Sequence, residues 1–190
     1  VFDICPAPNN GIWAATMGFG LYYYNIDNGT YIHYTSVKDN NKNTRNISGN
    51  IYIACLATKG KLLFAGGADG LNGYKMNGAE LKHLSKIFAA TYVNCLKIEG
   101  NELWAATNKG IYVINIKTLK VIATYDSTNG LPNNVVNSIE FDGNNVWMGT
   151  GFGLACYDRK AKTFHNFFAE DGLQDNEFGV RTSTKIGNDL

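Results

Sequence analysis

One pattern returns four times along this chain, and that repetition limits its possible folds more than any other feature. Trp13-Ala14-Ala15-Thr16 leads to Gly20-Leu21, and Phe64-Ala65-Gly66-Gly67 leads to Gly70-Leu71. Trp104-Ala105-Ala106-Thr107 leads to Gly110-Ile111, and Trp147-Met148-Gly149-Thr150 leads to Gly153-Leu154. The glycine-to-glycine intervals are 50, 40 and 43 residues. A period of about 40–45 residues is that of a four-stranded propeller blade. An apolar residue stands 11 positions before each core aromatic: Phe2, Ile53, Val93 and Val136. The runs beginning there are apolar on both faces, as strands sandwiched between sheets are. They read as one equivalent first strand.

Composition supports an all-β reading. The 190 residues include 21 Gly, 24 Asn and only 3 Pro. Asn and Gly tolerate the positive φ that tight hairpins need. Aromatic residues reach 13%, and strands favour aromatic and β-branched side chains. Seventeen basic against 16 acidic residues leave a net charge of +1, which provides no basic footprint for nucleic acid. No run of 18 apolar residues exists to form a membrane segment. The chain opens at Val1 directly into a strand-like run, so both ends are expected to continue into a longer protein.

The fold expected is therefore a β-propeller of four-stranded antiparallel blades. Blades are placed at about 1–35, 51–85, 91–126 and 134–168, with the start of a next blade at 174–190. The extra length in the first interval is placed in a polar loop insertion at 36–50. Four blades and the start of a fifth fit an arc of a seven-bladed ring, which needs about 300 residues at this period. In the last repeat the strands are expected at about 135–141, 146–150, 154–158 and 163–168. The repeat glycine turns the hairpin between the second and third strands. The aromatics Trp13, Phe64, Trp104 and Trp147 are expected to pack blade on blade, each worth roughly 1.5–3 kcal/mol on burial.

Little in the sequence points to catalysis. Cys5, Cys55, Cys95 and Cys156 form no Cys-x-x-Cys pair and read as core thiols, with a disulfide open to them only in an oxidising compartment. His33, His83 and His165 fall on separate fourth strands and read as surface residues; no metal site or cofactor is expected. Glu170, Asp171, Asp175 and Glu177 cluster after the fourth blade, where glycoside hydrolysis would need two carboxyl groups about 5–10 Å apart. Asp171, however, matches Asn129 one blade earlier and reads as a turn cap. The better ligand candidates are the residues before the repeat glycines: Phe19, Asp69, Lys109 and Phe152. They vary while their neighbours do not, and variable tips on a fixed frame are where binding concentrates.

The run Asn129 to Ile139, the segment Asp142 to Leu154, Tyr157-Asp158, Phe164, Phe168 and Asp171-Gly172-Leu173 together resemble the two-component regulator propeller repeat. The resemblance covers nearly the whole chain and is strongest over 91–178. It departs from the pattern in the second blade, where Phe64 replaces Trp and Gly67 replaces Thr. Such repeats are similar to those in the periplasmic sensor region of hybrid two-component histidine kinases, many of which respond to breakdown products of polysaccharides. The resemblance implies a sensor segment that detects a ligand, with an oligosaccharide as ligand, or that supports homodimerisation of the full sensor. Its other partners would be the remaining blades of the same protein. No kinase motif lies in these residues, so this segment is not expected to be an enzyme, although the full-length protein would carry the kinase. The same repeat also occurs in envelope propellers without a kinase, and the alternative reading is a cell-envelope scaffold that binds other proteins.

Overall fold

The computed structural model of the chain describes residues 1–36, 41–47, 51–180 and 183. The fold is all-β, a succession of four-stranded antiparallel β-propeller blades. The first blade comprises β1 (Asp3–Ala7), β2 (Gly11–Thr16), β3 (Gly20–Asn25) and β4 (Tyr31–Thr35), and the second β6 (Ile53–Lys59), β7 (Leu62–Gly67), β8 (Gly70–Asn77) and β9 (Glu80–Phe88). The third has β10 (Val93–Glu99), β11 (Glu102–Thr107), β12 (Gly110–Asn115) and β13 (Lys120–Tyr125). The fourth has β14 (Val136–Asp142), β15 (Asn145–Thr150), β16 (Leu154–Asp158) and β17 (Thr163–Phe167).

The polar stretch expected as a loop at 36–50 holds a strand. Here β5 (Thr44–Asn46) adds to the edge of the first sheet, parallel to β4, with His33 opposite Thr44. Residues 37–40 and 48–50 of that stretch lie outside the described residues, as do 181, 182 and 184–190 of the expected next blade.

The chain divides after Val93 into two compact units of two sheets each. In the first unit, Trp13, Ala15, Tyr23 and Tyr34 of the first blade pack on Leu56, Leu63, Ala65 and Tyr74 of the second. The Trp13 indole N–H reaches Met76 Sδ at 3.1 Å. The Tyr34 hydroxyl donates to Ala79 O at 2.8 Å, and Asp3 Oδ2 accepts from Leu56 N at 2.7 Å. In the second unit, Trp104, Ala106, Ile111 and Val113 pack on Ile139, Val146, Met148 and Tyr157. Polar bonds span the same seam: Asn94 Nδ2 to Val136 O at 2.8 Å and Lys97 Nζ to Glu140 Oε1 at 2.8 Å. Arg159 bonds Glu99 and lies 3.2 Å from Glu102 Oε2, which in turn accepts the Trp104 indole N–H at 3.0 Å. Each seam is thus an apolar layer whose polar rim is satisfied across blades.

The core departs from the repeat at three places. Trp147 is only half-buried; it stacks on Phe167 at 5.7 Å, and its indole nitrogen is buried without a partner among the described residues. Phe2 is 48% exposed, whereas Ile53, Val93 and Val136 are buried. The first strands are also not strictly equivalent, because β6 and β14 carry bulges around Ala54 and Asn137 while the β1 register is unbroken. A bulge shifts every later residue by one position.

The turn between the third and fourth strands has its own signature. Asn25, Asn115 and Asp158 end β3, β12 and β16, and each side-chain oxygen accepts two backbone amides from the turn beyond it. These are Asx turns. The amides of Ala161 and Lys160 hold the Asp158 carboxyl below its ordinary value. A carboxyl whose pKa is depressed by folding adds stability above its unfolded pKa of about 3.9, and loses that contribution as pH falls through the folded value. Asp126, bonded by Thr128, behaves alike. In acid titrations of the unfolding midpoint, Asp158→Asn is expected to keep the turn, as Asn25 and Asn115 do, and to flatten the decline below about pH 4.

Candidate functional site

The candidate residues sit on the hairpins between the second and third strands, at the same end of each sheet. Gly20, Gly70 and Gly110 open the third strands and Gly153 immediately precedes β16, with φ of 79°, 96°, 96° and 94°, a region costly for side chains with a Cβ. At Gly110 a Cβ would also run into the Tyr125 carbonyl oxygen. The amides of Gly20, Gly110 and Gly153 donate to Ile51, Asn134 and Asn176, at 2.9, 2.6 and 2.6 Å. Each of these acceptors lies on the chain leaving that blade.

The threonine of the repeat has a definite task. Thr16, Thr107 and Thr150 donate their hydroxyls to the carbonyls of Gly20, Gly110 and Gly153 at 2.8, 2.7 and 2.6 Å. The hydroxyls of Thr107 and Thr150 also accept the amides of Lys109 and Phe152, at 2.9 and 3.2 Å. The tip backbone is therefore fixed while its side chain is free to differ. The second blade departs from this because Gly67 lies against the Tyr52 carbonyl, where a threonine Cβ would collide.

The four tip side chains have different surroundings. Phe19 is 67% exposed, and its carbonyl lies 2.6 Å from His33 Nε2. Contrary to the surface reading of the histidines, His33 is half-buried and stacks on Tyr22 at 4.2 Å, because β5 covers the outer side of its strand. Asp69 is paired with Lys86 at 2.6 Å, a partly exposed pair worth about 0–1 kcal/mol. Lys109 is exposed. Phe152 is 51% exposed and leans on Phe168 at 5.7 Å. Phe19 and Asp69 belong to the first unit, Lys109 and Phe152 to the second.

The other candidates organise structure. Asn129 Oδ1 accepts the Asp126 amide at 3.1 Å, and Asp171 Oδ2 accepts the Phe168 amide at 2.8 Å. Asp171 is thus a turn cap. All four cysteines are free thiols, three of them buried, and burial raises the Cys5 thiol to about 12. No cluster of potential metal ligands occurs among the described residues.

Residues 130–152, which span the turn after β13, strand β14 and the Trp147 hairpin, match the family described as two component regulator propeller. The chain carries a regulator-propeller repeat. No curated protein sequence matches the chain. Among solved structures, the chain is similar to the extracellular domain described as that of a hybrid two component system from B. thetaiotaomicron. The TM-score is 0.73 at 23% identity, over 93% of this chain and 23% of that one. It is also similar to an extracellular domain described as that of a one component system of the same organism, with a TM-score of 0.69 at 23% identity, over 87% and 21%. A third likeness is to PorZ, a surface component of the type-IX secretion system of Porphyromonas gingivalis, with a TM-score of 0.57 at 18% identity, over 87% and 25%. These likenesses establish the β-propeller fold, and the chain spans about a quarter of the length of each structure. No helix among the described residues is long and apolar enough to cross a membrane.

Proposed function

We propose that this chain is part of the periplasmic sensor region of a hybrid two-component signalling protein, and that its blade tips bind an oligosaccharide released from a polysaccharide. The observation that carries the reading is the contrast between a constant hairpin frame and chemically different tips. The frame is held by the repeat glycine and, in three blades, by the threonine hydroxyl. On it stand two exposed aromatics, a carboxylate and an ammonium: Phe19, Phe152, Asp69 and Lys109. Aromatic rings can cover the apolar face of a sugar, and charged groups form strong hydrogen bonds with hydroxyls. In this reading the kinase and the remaining blades lie elsewhere in a longer, homodimeric protein, and this segment detects without catalysing.

A thermal-shift screen of the chain against neutral and acidic oligosaccharides tests the reading. A ligand at 100 times its Kd adds about 2.7 kcal/mol of stability, a shift of several degrees. Phe19→Ala and Phe152→Ala are expected to weaken the best neutral ligand about tenfold. Because Phe19 is well exposed, Phe19→Ala should change unliganded stability by no more than about 0.5 kcal/mol. Unchanged affinity in both variants would remove the tips as the site. A folded protein silent across the whole panel would overturn the oligosaccharide reading in favour of an envelope scaffold, the reading to which the likeness to PorZ lends support.

A further inference from the structure

The second blade breaks the repeat at one place that the hairpin frame does not explain. In the other three blades the last residue of the third strand before the turn is Asn25, Asn115 or Asp158, and each builds an Asx turn. By register the corresponding residue of the second blade is Lys75, opposite Leu62. No side-chain cap can form there. Instead β8 and β9 run on for 8 and 9 residues, against five or six for the equivalent strands of the other blades.

The extension creates a cross-strand row of Lys59, Leu62, Lys75 and Lys82. Lys75 and Lys82 are direct neighbours on adjacent strands, about 5 Å apart at the backbone, and like charges so placed are destabilising. The equivalent rows of the third and fourth blades carry Glu102 with Lys120, and Asp142 with Asp158. Lysines on an outer strand can serve to block edge pairing, which accounts for Lys82 and Lys86. That role does not account for Lys75 on the inner neighbour β8, or for Lys61 in the turn. Lys61, Lys75 and Lys82 line a groove of about 470 Å³ with Met76 and Leu81. The acid in its lining, Glu80, faces Arg45 at 3.7 Å and the Tyr34 hydroxyl at 3.4 Å. No carboxylate among the described residues pairs with Lys61, Lys75 or Lys82.

We infer that this groove binds an acidic oligosaccharide, a sugar chain bearing carboxylate or sulfate groups, through Lys61, Lys75 and Lys82. Unpaired ammonium groups side by side are satisfied by anionic groups arriving in series, and lysine binds such groups as a point charge. Among the described residues the groove has no aromatic ring on which nucleobases would stack. The inference deepens the sensor reading and rests on it for the sugar, not for the charge.

The test is a titration of the chain with an oligogalacturonate, a neutral oligosaccharide of equal length and inorganic sulfate, at 50 and 500 mM NaCl. The acidic oligomer is expected to bind at least tenfold more tightly than the neutral one and to weaken at least tenfold at high salt. Lys75→Gln/Lys82→Gln should cost at least tenfold in its affinity, while Lys160→Gln on the fourth blade should cost nothing. Because the double variant removes a like-charge pair, its melting temperature should not fall, which separates lost binding from lost folding. Equal binding of the acidic oligomer by the double variant would overturn the inference, as would sulfate matching it at equal concentration. A neutral sugar bound through Phe19 or Phe152 with the acidic oligomer unbound would overturn this inference and leave the sensor reading standing. Binding of no sugar at all would overturn both.

Discussion

Trp104→Ala is expected to lower the stability of the protein by about 3–5 kcal/mol, the usual cost of removing a large buried aromatic. Trp104 is 2% exposed and meets Phe141, Tyr125 and Tyr157 within about 6 Å. Its removal opens a cavity in the layer between the third and fourth blades. It also takes away the donor that Glu102 accepts, loosening the Arg159 cluster. The same substitution at Trp147 should cost markedly less, about 1–2 kcal/mol, because that ring is half-buried and its N–H has no partner among the described residues to lose. Urea unfolding of the two variants side by side measures the difference. Equal losses would mean that the fourth blade's aromatic is as deeply packed as the third's.

Gly67→Thr should destabilise by about 3 kcal/mol or more although it restores the residue found at this point in the other three blades. The threonine Cβ would be forced onto the Tyr52 carbonyl, a backbone atom that cannot swing away. Overpacking of this kind costs about 1–3 kcal/mol where neighbours can give, and more where they cannot. The hydroxyl would recover at most about 1 kcal/mol through the bond its counterparts make to the glycine carbonyl. Thermal unfolding checks this directly, and a gain in stability would show that the approach of Tyr52 relaxes freely.

Much of the frame was legible because each blade solves the same hairpin with the same residues. The spacing of Gly20, Gly70, Gly110 and Gly153 marks where the chain must take positive φ, and β16 begins and ends where the pattern places it. What was not legible depends on other parts of the chain. Strand β5 is three polar residues that become a strand only because β4 offers its edge. The β14 bulge frees Asn137 to donate to Phe178 O at 2.6 Å, a partner 41 residues away. The threonine of the repeat reads as a small polar strand residue until its two bonds place it at the hairpin. At the tips, the residue types were visible, but the pairing of Asp69 with Lys86 and the lean of Phe152 on Phe168 were not. The lysine row had a signal that alignment of the repeats could have exposed: Lys75 stands where Asn25, Asn115 and Asp158 do.

The most direct test of the sensor account is hydrogen–deuterium exchange of the chain with and without the neutral oligosaccharide that stabilises it most. The account predicts slowed exchange concentrated in the hairpin around 17–20 or the one around 151–153, with strands β9, β13 and β17 unchanged. Slowing confined to the outer strands, with both hairpins exchanging as they do in the free protein, would contradict it.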